Sequence, residues 1–212
     1  MKIRKAEEKD IPRLLALLEQ VLQIHAKIRP DIFIPGTTKY TVCELAELLK
    51  QEDKPIYVAV NEDDVCMGYA FCQMKEQPFS TNMIPFKSLF IDDLCVDQQA
   101  RGQHIGESLF EYVKQQAKEQ GCYEVTLNVW AGNTSAEHFY EKMGMNTKER
   151  QMEYILCFIG NLLVVRRMHK CILLTCTHYI MKQSFMIVIY TRFARQSLLY
   201  HIAKFINTKI LT

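Results

Sequence analysis

Residues 157–212 contain no aspartate or glutamate, and all 24 acidic residues of this 212-residue chain lie at or before Glu153. The overall net charge of +2 therefore averages two unlike segments. Residues 1–156 carry 18 Lys and Arg against 24 acids, a net −6, while residues 157–212 carry 8 basic residues against none. No nucleic-acid partner is expected of the acidic segment, because phosphate backbones are bound by clustered positive charge. The N-terminus, MKIRKAEEKD, lacks the apolar core of a secretion signal. No repeat or low-complexity block occurs. The runs Tyr154–Val165 and Phe185–Tyr190 fall short of the about 20 apolar residues that span a bilayer. Cys171–Tyr190 reaches that length only by including His178, Lys182, Gln183 and Ser184.

Cysteine is not scarce, with Cys43, Cys66, Cys72, Cys95, Cys122, Cys157, Cys171 and Cys176. Four of the first five sit within apolar or periodic segments. Reduced, buried thiols and a cytosolic (cytoplasmic) setting are the expectation.

The periodicity of what is present predicts an ordered series of elements. Lys2–Ala6 reads as a short strand. Ile11–Ile24 has a helical apolar period, and HAKIRPDIFIPGTTKYT breaks it. Thr41 opens a second helix, with Glu44 three residues on as a capping box. Ile56–Val60 and Met67–Met74 read as a hairpin around Asn61–Asp64. Lys87–Val96 is a further strand. His104–Gln120 is an amphipathic helix closed by Gly121. Tyr123–Trp130 alternates as a strand, Ser135–Met143 is a helix closed by Gly144, and Met152–Leu156 is a last strand. The order predicts an α/β fold, a mixed β-sheet flanked by helices on both faces.

Residues 96–109, VDQQARGQHIGESL, run from strand to tight turn to helix. The first amides of a helix lack intrahelical acceptors and sit at the positive end of its dipole. Such a turn suits an anion, and Arg101 adds a cation that forks onto phosphate oxygens. No Gly-Lys-Ser/Thr follows, so this is not a P-loop, and the setting fits a dinucleotide fingerprint poorly. An ordinary surface turn with a solvated Arg101 is the alternative.

These residues carry a family resemblance. Residues 1–156 resemble the GNAT acyl-CoA N-acetyltransferases. Their signature, Arg/Gln-x-x-Gly-x-Gly/Ala between the fourth strand and third helix, stands here as Arg101-Gly102-Gln103-His104-Ile105-Gly106. The run from Asn133 through Ala136, Phe139, Tyr140 and Gly144 to Met145 resembles a second family motif at the expected distance. His104 stands where the family usually has Gly. A non-Gly residue tolerates φ above zero poorly, His better than most. The resemblance implies acetyl-CoA as cosubstrate, with its pyrophosphate on the amides of Arg101, Gly102, Gln103, His104, Ile105, Gly106, Glu107 and Ser108. It implies pantetheine paired with the backbone of Leu94, Cys95 and Val96 as an added strand. Asn133 would hydrogen-bond the pantetheine from the far side. Dimers are common in the family, so a homodimer is a further expectation.

Acetylation of an amine needs a base for the ammonium proton and an acid for the departing thiolate. Asp92 and Asp93 are adjacent acids in the apolar strand SLFIDDLCV. A similar acidic pair occurs in the superfamily's polyamine acetyltransferases. Strict alternation puts Asp92 on one face with Leu94 and Val96, as base or water relay, and leaves Asp93 to bind substrate or to support structure. Both could instead cap or pair near a bulge. Tyr140, with an ordinary phenol pKa of about 10, matches the family's acid, or is a core tyrosine. Cys95 is a weak nucleophile candidate, and His138 reads as solvent-facing. The family's first two helices and their loop line the acceptor groove, which makes Arg29, Asp31, Phe33 and Tyr40 candidate wall residues. The net −6 favours a cationic amine: a protein N-terminus, a lysine, an aminoglycoside or a small molecule such as a polyamine.

The reading is an N-acetyltransferase domain at 1–156 acting by direct transfer in a ternary complex. Two other classes stay open: a non-catalytic acyl-CoA-binding sensor, and a membrane-surface adaptor driven by the tail. Residues 157–212 are a basic apolar C-terminal extension with no assigned function, either a membrane-surface segment or read-through sequence never selected to fold. The spacing of His169, Cys171, Cys176 and His178 matches no zinc finger, and no metal is expected.

Overall fold

Each residue of Ile56–Val60 (IYVAV) is buried, as expected for a strand covered on both faces. In the computed structural model, which describes residues 1–76 and 81–156, this run is β2 of a five-stranded sheet. The other strands are β1 (Lys2–Lys5), β3 (Cys66–Glu76), β4 (Lys87–Val96) and β5 (Glu124–Leu127). They lie in sequence order, antiparallel except for the parallel β4–β5 pair. That parallel pair needs a crossover, which helix α3 (Ile105–Glu119) supplies. Met1–Met152 form one compact unit.

The helices cover both faces. Helix α1 (Ile11–Ile28) turns Ile11, Leu14, Leu17 and Leu18 inward, at helical spacing. With Leu45 of α2 (Val42–Leu48) they pack on Val58, Val60, Tyr69, Phe71 and Cys95. On the opposite face Phe110, Val113 and Ala117 of α3 pack on Tyr57, Ala70, Cys72, Leu89 and Ile91. Phe139, Tyr140 and Met143, from α4 (Thr134–Lys142) and its end, adjoin that cluster.

Local signals set the boundaries. The Thr41 hydroxyl accepts from the Glu44 amide at 3.2 Å, and the Glu44 carboxylate accepts from the Thr41 amide at 2.7 Å, completing the capping box. Asn61 Oδ1 accepts from the amides of Asp63 and Val65, holding the hairpin turn. Helix α1 runs one turn beyond the predicted Ile24, up to the residues just before Pro30.

Two expectations fail at the end of the domain. Met152–Leu156 is not a strand; residues 145–156 carry no regular structure, and Met152, Tyr154 and Leu156 are exposed. Alternation in QMEYIL is only a local preference, and a strand exists only where an edge pairs with it. Strand β5 is also shorter than Tyr123–Trp130, since its ladder with β4 covers only Glu124–Leu127. Among the described residues, no helix is long and apolar enough to cross a membrane. The C-terminal extension and its His and Cys candidates lie outside the described residues.

Candidate functional site

The parallel ladder between β4 and β5 stops at Ile91 and Leu127, while β4 continues to Val96. Among the described residues, Asp92–Val96 thus have β3 on one side and an unpaired edge on the other. The candidate acetyl-CoA residues Leu94, Cys95 and Val96 lie on that edge, where an extended chain could add as a strand.

Beyond Val96 the chain turns sharply into α3. Asp97 anchors the turn: its buried carboxylate accepts from the Gln99 amide at 3.0 Å and pairs with Arg13. Arg101 is exposed and its Nε reaches the Val96 carbonyl at 3.4 Å. Gly102 has φ +77° and His104 φ +58°, so the turn demands left-handed backbone at the position where histidine replaces the family's glycine. His104 Nδ1–H donates to Glu107 Oε2 at 2.9 Å, and Glu107 Oε1 receives Lys142 Nζ at 2.6 Å. Those two bonds, Lys142 first, hold the Glu107 carboxyl below its ordinary range. The carboxylate is thereby partly neutralised beside the helix N-terminus, where the amides of His104 through Glu107 have no intrahelical acceptor. A Cβ on Gly106 would meet the Phe139 ring at 3.4 Å and Val96 Cγ2 at 3.5 Å, so α3, α4 and β4 meet closely here.

The acidic pair departs from strict alternation. Asp93 pairs with Phe71 of β3, but Ile91 pairs with Cys72, so Asp92 is the extra residue of a bulge. Parity therefore switches: Leu89 and Ile91 pack toward α3, and so do Leu94 and Val96. Asp92 is exposed rather than aligned with Leu94 and Val96, and its Oδ2 receives Lys39 Nζ at 2.8 Å. Asp93 is half-buried and accepts from Tyr69 Oη at 3.2 Å. Burial pushes the Asp93 carboxyl up to about 6, against the Lys39 charge and the Tyr69 hydrogen bond, which pull it down. Tyr69 itself is buried, and burial beside Asp93 holds its phenol protonated as the donor.

Tyr140 is half-buried between Phe110 and Phe139, with ring centroids at 6.0 and 5.0 Å. Burial, then the charge of Asp93, raises its phenol well above the ordinary value. Asn133 is the N-cap of α4, its Oδ1 accepting from the Ala136 amide at 3.3 Å, which leaves its amide donors for a ligand. Cys95 is buried with its thiol pushed up to about 12 by burial, which opposes a nucleophilic thiolate. The described cysteines form no disulfide, and no group of metal-ligating side chains occurs among the described residues.

The loop between α1 and α2 divides its candidates. Tyr40 stacks on Phe71 at 5.9 Å beside the acidic pair. Arg29 and Phe33 instead meet Trp130, at 5.6 and 5.3 Å, with Arg29 forked onto Asp31. They clasp the β5–α4 connection rather than the carboxylates. Lys39, Tyr69 and Trp130 were not among the sequence candidates. Lys39 was adjacent to the candidate Tyr40, but its partner depends on the bulge; Tyr69 becomes relevant only through the β3–β4 register.

Residues 18–145, more than half of the chain, match the model of the Acetyltransferase (GNAT) family. Glucosamine 6-phosphate N-acetyltransferase of Arabidopsis thaliana is 38% identical over 66 residues, which span 31% of this chain and 42% of that protein. Thialysine N-epsilon-acetyltransferase of Bos taurus is 26% identical over 152 residues, covering 67% of this chain and 82% of that protein. A mutant of the BH1408 protein of Bacillus halodurans superposes with a TM-score of 0.71 at 29% identity, covering 74% of this chain and all of that one. The crystal structure of the Arabidopsis glucosamine-6-phosphate enzyme superposes at 0.55 with 27% identity, covering 74% of this chain and 98% of that one. With the five-stranded mixed sheet already in place, the chain belongs to the GNAT family of acetyltransferases.

Proposed function

We propose that this acetyltransferase moves the acetyl group of acetyl-CoA directly onto a small-molecule amine, with Asp93 as base and Tyr140 as acid. The observation that carries the reading is the bulge at Asp92, which leaves Asp93 half-buried with its carboxyl raised to about 6 near the end of β4. The residues present suit the cosubstrate: an unpaired strand edge for the extended arm, and helix amides with Arg101 for the pyrophosphate. Acetyl-CoA supplies an activated thioester. Asp93 takes a proton from the acceptor ammonium, and its raised pKa brings it nearer the working pH of a general base. Tyr140 gives its phenol proton to the departing thiolate sulfur, and the high phenol pKa keeps that proton available until it is needed. Tyr69 holds the Asp93 carboxylate in place through its hydroxyl. The names of the glucosamine 6-phosphate and thialysine enzymes support a small amine over a protein N-terminus.

The test is thiol release by the full chain from acetyl-CoA against polyamines, amino sugars, aminoglycosides, amino acids and short peptides. Amine-dependent release is expected. Acetyl-CoA binding without release for every amine would replace this reading with the sensor module.

A further inference from the structure

Asp92 already holds a primary ammonium. Lys39, from the loop between α1 and α2, sets Nζ 2.8 Å from Asp92 Oδ2 and 5.5 Å from the Tyr40 ring centroid. Its charge also acts on Asp93. The bulge makes Asp92 the extra residue of the strand, and it is this exposed carboxylate that meets Lys39. Burial works to lower the Lys39 pKa, but the Asp92 hydrogen bond and the charges of Asp93 and Asp92 outweigh it. Lys39 is therefore a full cation throughout the range in which Asp93 can accept a proton. With both acids ionised, the three side chains sum to one negative charge, not two.

The contact is weakly held. Lys39 and Asp92 leave 43% and 42% of their side chains exposed. Exposed pairs of this kind shift equilibria by no more than about fivefold. A competing ammonium can displace such a side chain.

We propose that Lys39 is a specificity-determining residue of the acceptor groove: a tethered ammonium that occupies Asp92 and selects amines with one positive charge over polyamines. The inference rests on the acetyl-transfer reading above. An acceptor with a single ammonium needs only Asp93 and leaves the Lys39–Asp92 pair intact. A polyamine brings a second ammonium, which either meets Lys39 at close range or must expel it. Discrimination thus comes from repulsion as well as attraction. It also narrows the general preference for cationic amines that the net −6 of residues 1–156 implies by itself.

The test compares the full-length protein with its Lys39→Met and Lys39→Arg variants. The ratio of kcat/KM for spermidine to that for glucosamine is measured at low salt. Lys39→Met is expected to raise this ratio about fivefold, through KM for spermidine, and Lys39→Arg to leave it near the wild-type value. Added salt should shrink the effect. An unchanged ratio, or an equal rise with Lys39→Arg, overturns the proposal. A second readout needs no turnover: spermidine binding to the same three proteins, by calorimetry without acetyl-CoA. About fivefold tighter binding by Lys39→Met alone supports the proposal, and equal binding refutes it. If no amine releases thiol, acetyl transfer fails, while calorimetry still decides the role of Lys39.

Discussion

Asp93→Asn is expected to make the protein more stable and nearly inactive. Burial pushes the Asp93 carboxyl up to about 6, against an ordinary carboxylate value of about 3.9. Ionising it in the folded protein therefore costs about 1.4 kcal/mol for each unit of difference, or up to about 3 kcal/mol. Because the group keeps some contact with solvent, about 2 kcal/mol is the expected value. The sign follows from linkage. The folded state binds this proton more tightly than the unfolded chain does, so stability falls as pH rises from about 4 to about 6 and stays lowered above. Asparagine carries no such proton and still offers Tyr69 an acceptor oxygen. Urea unfolding should thus show the variant ahead by about 2 kcal/mol at pH 7, with the gap closing toward pH 4. Removal of the base should also lower turnover by about 10²–10⁴. The acid limb of the wild-type kcat/KM profile, near pH 6, should vanish. A variant less stable at pH 7, or a gap that ignores pH, would show that Asp93 is a structural partner of Tyr69 and Lys39. Turnover within tenfold of wild type would remove it as the base.

Tyr140→Phe should lower kcat by about 10²-fold or more while leaving the acetyl-CoA dissociation constant within threefold; unchanged turnover would assign Tyr140 to the core alone. His104→Gly removes a left-handed histidine, a strain of about 1 kcal/mol, but adds glycine entropy and gives up an exposed bond to Glu107. A net gain of a few tenths to about 1 kcal/mol is expected in chemical denaturation, and a clear loss would mean that the Glu107 contact holds the turn. Gly68→Ala places a Cβ 2.8 Å from the Cys95 carbonyl oxygen, where β3 and β4 are paired and cannot separate cheaply. A loss of about 1–3 kcal/mol in unfolding free energy is expected, and a neutral result would show that the strand end yields.

Elements whose determinants are local are legible in the sequence. Ile56–Val60 and Lys87–Val96 are bounded by turn residues and are strands over those bounds. The Thr41 capping box needs only four residues, and it forms. The turn at Arg101–Gly106 is legible because helix-start amides and glycine sit together in the chain, and even the demand on His104 could be stated as a condition on φ. What failed depends on partners. Met152–Leu156 has the alternation of a strand but no ladder. Arg29 and Phe33 lie in the expected loop, yet that loop reaches both the acidic pair and Trp130, and sequence spacing does not say which residue meets which.

The acidic pair joins these two kinds of information. Two adjacent carboxylates in SLFIDDLCV are a local contradiction, because one of them must face a buried side of the sheet if the strand is regular. Such a conflict between pattern and residue type is expected at functional or strained sites. It does not say how the strand resolves it, because a bulge is a property of the β3–β4 register and not of β4 alone. The resolution matters chemically. A regular strand would leave one acid in solvent and bury the other without a shared partner. The bulge brings both carboxylates within range of Lys39 while Tyr69 holds Asp93. One acid is thereby left half-buried and basic, and its neighbour is neutralised by a resident ammonium. Those are the separate requirements of the base proposed for Asp93 and of the selection among amines proposed for Lys39.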